Sequence, residues 1–111
     1  MAVFAVYWFE KQAKKFDVTV RNESARWGMI AVQGPQALEQ VAKLLPQAPE
    51  VARFHIAEIE LFGAKGYLTR TGYTGEDGVE IMLPSDKIAQ LWDALLKQGV
   101  TPCGLGARDV L

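Results

Sequence analysis

Two short stretches hold residue types whose spacing could do chemistry. The first, Gly72 to Glu80 (GYTGEDGVE), puts three glycines among residues 72–78 and the carboxylates Glu76, Asp77 and Glu80 in or beside the same loop. A phosphate cradle needs glycines that open a helix, with a Lys or Ser/Thr placed for the phosphate. Here the glycines lead into an apolar, strand-like run, and three acids would repel a phosphate. A carboxylate accepts two parallel hydrogen bonds, so the loop suits a ligand that presents a two-donor N–H edge. A solvated hairpin loop whose acids serve solubility explains the same residues. The second stretch, Pro102 to Asp109 (PCGLGARD), combines two glycines that permit close backbone approach with Arg108, a fixed fork of donors for a carboxylate or carbonyl. Its bland counterpart is a turn followed by an Arg–Asp surface pair of little energetic value.

Other reactive types are isolated. Cys103 has no neighbouring base and reads as a buried, inert thiol. His55 lies among apolar residues without an acid and reads as structural. One histidine and one cysteine make a structural zinc site implausible, and Ser24 has no paired histidine for a hydrolase triad. No catalytic residue and no metal ligand is assigned. Trp8, Trp27 and Trp92 fall on core-facing patterns and read as packing.

These pieces sit in 111 residues, enough for one domain over 1–111. Half the residues are hydrophobic and 23% are charged, which fits a packed globular chain better than a disordered tail. Twelve basic against thirteen acidic residues argue against a nucleic-acid module, which carries a basic excess. The apolar run Met1–Trp8 falls well short of the roughly 20 residues of a membrane span, and it lacks the basic start of a secretory signal. A lone cysteine favours a reducing cytoplasmic setting, or the mitochondrial matrix in a eukaryote.

The elements that position the two stretches follow from periodicity. Met1–Trp8 reads as a buried or adhesive strand and Phe9–Phe16 as a helix of about two turns. Phe16–Asn22 alternates like a half-buried strand, and Trp27–Gln33 is a more central one. Gly34-Pro35 opens a helix with Ala37, Leu38, Val41, Leu44 and Leu45 on one face, which Pro46 ends. Ala52–Leu61 reads as a strand with a slip at Ala57–Glu58 that predicts a bulge. A turn at Phe62–Lys65 leads to a strand over Gly66–Thr71. Val79–Leu83 is a short strand, and Ser85 with Asp86 is the expected N-cap of a helix carrying Ile88, Leu91, Trp92, Leu95 and Leu96 and ending at Gly99. The order implies an α+β class: a ferredoxin-like split βαβ, with a mainly antiparallel sheet and helices on one face. The sequence stops as a helix begins, so it reads as a piece of something longer. The apolar start predicts a homo-oligomer, through an exposed N-terminal strand.

Ile30–Ala37 (IAVQGPQA), Arg70–Ile81 (RTGYTGEDGVEI) and Pro102–Asp109 (PCGLGARD), in this order and spacing, resemble aminomethyltransferases. This is the T-protein family of the glycine cleavage system. The likeness runs from about Phe16 to Leu111 and covers the middle, ferredoxin-like region of a longer chain; residues 1–15 depart from the family pattern. The resemblance implies tetrahydrofolate as cofactor, with Glu80 on the pterin, Tyr73 lining the same pocket and Arg108 as a folate-contacting arginine. It implies the lipoyl arm of H-protein as partner, and a catalytic aspartate N-terminal to this segment, so that these residues alone are inactive. No nucleic-acid or membrane partner is implied. Two other readings stand beside it. One is a catalytically silent folding or assembly unit. The other is a segment of another folate-binding enzyme, such as a sarcosine or dimethylglycine oxidase or an iron–sulfur assembly factor.

Overall fold

A computed structural model describes residues 2–110; Met1 and Leu111, the ends of the first and last stretches read above, lie outside the described residues. The elements are α1 (Ala2–Ala13), β1 (Trp27–Gln33), α2 (Ala37–Ala42), β2 (Ile56–Leu61), β3 (Ala64–Thr69), β4 (Gly78–Pro84), α3 (Ile88–Lys97) and α4 (Leu105–Asp109), with single 3-10 turns at Ser24–Arg26 and Ala48–Glu50. The strands form one antiparallel sheet in the order β1-β4-β3-β2. This is the expected α+β class in a ferredoxin-like arrangement, with the β2-β3-β4 meander joined to β1 through β4.

Alternation along the strands gives the sheet two unlike faces. One face carries Ile30 and Val32 of β1, Val79, Ile81 and Leu83 of β4, Leu68 of β3, and Ile59 and Leu61 of β2. Against it pack Ala37, Val41 and Leu45 from α2 and its C-terminal turn, and Leu91 and Leu95 from α3. The opposite face shows Met29 and Ala31, Glu80 and Met82, Tyr67 and Thr69, and Glu58 and Glu60, mostly exposed. Helix α3 approaches β1 closely because Gly28 has no side chain: a Cβ there would stand 2.7 Å from Ile88 Cγ1.

Local chemistry sets the junctions. The β2–β3 hairpin turns on Phe62 (φ 53°) and Gly63 (φ 73°), the two positive-φ positions of a type I′ turn. Phe62 accepts that conformation while packing on the core edge. The register runs unbroken from Ile56↔Thr69 to Leu61↔Ala64, so no bulge forms at Ala57–Glu58. The buried set in β2 is Ile59 and Leu61, with Ala57 half-buried, while Phe54 and Ile56 are exposed. Helix α3 ends in a Schellman motif: Gly99 (φ 89°) donates to Leu96 O and Val100 to Leu95 O. Its start differs from expectation. Lys87 is the N-cap, without a side-chain cap bond, and the Ser85 N–H donates to Arg26 O to close the β1–β4 ladder.

The N-terminal third departs most from the sequence reading. Ala2–Trp8 is helical, not a strand, and runs on into the helix expected from Phe9, which ends at Ala13; Phe16–Asn22 forms no strand. A short apolar run without a neighbouring strand edge satisfies its backbone internally only by coiling, and the helix formers of EKQA extend it. Phe4 is 79% exposed and Phe16 67%, and Tyr7, Trp8 and Phe9 are exposed too. Among the described residues, the core cluster takes none from α1. His55, expected inside, is exposed, with Nδ1 3.0 Å from Arg53 O. The tryptophans are not core residues either. Trp8 is exposed, Trp27 packs on Tyr67 with ring centres 5.8 Å apart, and Trp92 is 41% exposed.

Leu95 lies fully inside the core cluster, so Leu95→Ala is expected to cost about 2–5 kcal/mol through lost transfer and cavity formation. Trp92→Ala, at the exposed margin of the same helix, is expected to cost much less. Urea unfolding of the two variants measures both; equal losses would place this face wrongly.

Candidate functional site

The loop between β3 and β4 is held by three side-chain systems. Arg70 grips Asp77 in a bidentate pair, Nε to Oδ1 at 3.2 Å and Nη2 to Oδ2 at 2.7 Å, and its Nη1 donates to Val51 O at 2.9 Å. Asp77 Oδ1 also accepts the Gly78 N–H, and Asp77 O accepts the Gly34 N–H, each at 2.9 Å. The Arg70 guanidinium holds the Asp77 carboxyl below its ordinary value, and Asp77 in turn raises Arg70. The acid that looked like a solvating loop residue is a structural clamp.

Gln33, at the end of β1, is the second system. Its Nε2 lies 3.1 Å from both Thr71 O and Val79 O, one on each side of the loop, and its Oε1 accepts from Thr74 Oγ1 at 3.3 Å. The third is a hydroxyl chain: Thr71 Oγ1 donates to Glu80 Oε1, and Thr69 Oγ1 lies 2.8 Å from Thr71 Oγ1. Since the Thr71 proton goes to the carboxylate, Thr69 donates to Thr71. Glu80 is thus oriented on the sheet face opposite the helices, across from Thr69 on β3 and Ala31 on β1.

Tyr73 and Arg108 come together elsewhere. The Arg108 guanidinium sits over the Tyr73 ring, 5.2 Å from its centre, and its Nη1 also meets Asp109 Oδ1 at 3.0 Å. Both line a cleft of about 430 Å³ beside β1, with Ile30, Trp92, Leu95 and Leu96 as apolar walls. The Schellman turn after α3 directs the chain so that Thr101–Cys103 and α4 close the far side. Cys103, expected to be buried, is exposed and lines this cleft. Glu80 is not among its lining residues. Ala31, its partner across the β1–β4 ladder, is one of them, while Glu80 itself lies on the sheet face opposite the helices.

Of the three residues singled out by sequence, the structure joins Tyr73 to Arg108 in one cleft and leaves Glu80 outside its lining, on the other face of the sheet. Sequence reasoning missed Gln33, Arg70 and Thr71. The signal for Gln33 was a polar residue ending an otherwise apolar strand. Among the described residues, no cluster of three His, Cys, Asp or Glu side chains is placed to hold a metal ion, and no helix is long and apolar enough to cross a membrane.

The model of the GCVT N-terminal domain family matches residues 2–111. The chain belongs to this family. An aminomethyltransferase of Herpetosiphon aurantiacus is 45% identical over 105 residues, which is 94% of this chain and 29% of that protein. The chain thus spans less than a third of that curated relative's length. Within this GCVT N-terminal domain, the RTGYTGEDGVEI and PCGLGARD stretches that carried the resemblance form the loop clamp and the α4 wall.

The depressed Asp77 value links the clamp to pH. A carboxylate whose folded pKa lies below its unfolded one contributes stability that is present above the unfolded value and lost as pH falls through the folded one. The stability gap between the wild-type chain and Asp77→Asn is expected to hold steady from neutral pH to about pH 5, then narrow below about pH 4. Denaturant unfolding over that range measures it; a gap that widens on acidification would contradict the pairing.

Proposed function

We propose that this chain supplies one part of the tetrahydrofolate site of a folate-dependent aminomethyltransferase of the glycine cleavage system. The observation that carries this reading is the Tyr73–Arg108 cleft along β1, together with an oriented carboxylate, Glu80, that pairs across the ladder with its lining residue Ala31. A pterin presents an amino group and a ring N–H side by side, and a carboxylate accepts both. Thr71 fixes one Glu80 oxygen and so sets the plane of the group. Arg108 offers donors to the carbonyl or carboxylate groups of a folate, while its stacking on Tyr73 limits the orientations it samples. When bound, tetrahydrofolate supplies the nitrogens that accept a one-carbon unit, in the parent family from an aminomethyl group on the lipoyl arm of H-protein. The residues of this chain bind and orient; none of them is assigned the acid of the transfer step. An exposed, unpaired Cys103 suits a reducing cytoplasmic or matrix compartment.

Two charge-assisted hydrogen bonds of about 1.5–3 kcal/mol each, set against the entropy of association, give millimolar affinity at best for one wall of a site. Calorimetry with 5-formyltetrahydrofolate is expected to detect such binding and to lose it in Glu80→Gln. A transfer assay with loaded H-protein is expected to give no turnover with the 111 residues alone. Micromolar binding that survives Glu80→Gln would remove Glu80 from the site, and turnover would overturn the binding-only role.

The exposed aromatic residues of α1 favour self-association as an additional property. Phe4, Tyr7, Trp8 and Phe9 leave a large apolar surface in water, and burying it against a second copy is the simplest relief. Sedimentation at micromolar concentration is expected to find species larger than the monomer, and Trp8→Glu is expected to shift them toward monomer. A strictly monomeric wild-type chain would rule this out.

A further inference from the structure

Gln33 touches both ends of a loop whose two flanks serve different walls of the site. Its single amide nitrogen donates to Thr71 O, where the chain leaves β3, and to Val79 O, where the chain enters β4. Its carbonyl oxygen takes the Thr74 hydroxyl, next to Tyr73. Every hydrogen-bonding atom of the side chain is thereby committed to this loop. The space it occupies is vacated by two glycines. A Cβ on Gly72 would overlap Gln33 Oε1 and come within 2.7 Å of Nε2, and one on Gly78 would stand 2.5 Å from Val32 O and 2.6 Å from Gln33 Cδ. Neither glycine has a positive φ, so backbone conformation does not demand glycine at 72 or 78. At Gly72 the amide demands it; at Gly78 the Val32 carbonyl and the amide do so together.

The residues on either side of these contacts are the ones assigned to the ligand. Thr71, whose carbonyl Gln33 holds, carries the hydroxyl that orients Glu80. Thr74, whose hydroxyl Gln33 accepts, adjoins Tyr73, which stacks under Arg108. Gln33 itself also lines the cleft. We propose that Gln33 is the positioning residue of this site: through three hydrogen bonds to one loop it sets the Glu80 carboxylate and the Tyr73–Arg108 wall at a fixed relative placement. The naming of those walls rests on the folate reading above; the hold on the loop does not.

The space argument supplies a test by compensation. Gly72→Ala adds a methyl where the Gln33 amide lies, so it expels the amide and acts like Gln33→Ala; in the double variant Gln33→Ala/Gly72→Ala the methyl meets no amide. Amide hydrogen exchange of residues 71–79, with Leu68 and Ile81 in the core as internal controls, reads the hold directly without ligand. Each single variant is expected to speed loop exchange on the order of tenfold, the effect of losing two or three neutral hydrogen bonds, with the core amides unchanged. The double variant is expected to be no faster than either single. Gln33→Met keeps length and bulk but no donor and is expected to behave like Gln33→Ala; if it behaves like the wild-type chain, Gln33 only fills space and the proposal fails. Additive effects of Gln33→Ala and Gly72→Ala would also overturn it. With 5-formyltetrahydrofolate, Gln33→Met is expected to weaken binding relative to the wild-type chain. Absence of binding by the wild-type chain would sink the folate reading, while the exchange results decide the positioning role by themselves.

Discussion

Strand β4 is hydrogen-bonded on both sides, to β1 and to β3, and its register with them decides which side chains reach the site. Val79, Ile81 and Leu83 are fully buried against α2 and α3, and a strand alternates, so Glu80 and Met82 must face the other way. The carboxylate owes its place to its apolar neighbours. The same parity acts in β1, where Val32 enters the core and Gln33 turns to the loop. One set of apolar contacts thus fixes both the acid and the amide that steadies its surroundings.

The central part of this architecture was legible from residue order. β1, β3, β4, the α2 face and the apolar stripe of α3 follow periodicity, because each has a partner surface that rewards it. The readings failed where no such surface exists. Phe16–Asn22 alternates but meets no sheet edge, and the run from Ala2 to Trp8 satisfies its backbone as a helix when no strand lies beside it. Ser85 has the right side chain for a cap, yet its N–H is drawn into the end of the β1–β4 ladder. In β2 the type I′ turn sets register from the far end, so Ile59 and Leu61 enter the core and the apolar Phe54 and Ile56 stay exposed.

The site was legible only in part, for an electrostatic reason. Three carboxylates in nine residues look alike in sequence and have three fates in space. Asp77 is neutralised by Arg70 and becomes part of the frame, Glu76 lies exposed at the cleft, and Glu80 is oriented by a hydroxyl. Which acid is spent on structure depends on where Arg70 falls, and Arg70 is brought to the loop by the β2–β3 hairpin. Tyr73 and Arg108 are 35 positions apart, and only the Schellman turn after α3 brings α4 back over the loop.

The two-faced character of β1 also constrains how this chain can change over evolutionary time. A substitution at Ala31 or Met29 alters one surface and leaves the other alone. Gaining or losing one residue within 27–33 is different in kind: Val32 and Gln33 would trade roles, sending an amide into the apolar interior and a valine to the loop. A change of length costs least in the irregular stretch 14–23, where no alternation must be kept in phase. The edge strand bears exchange of residues far better than insertion.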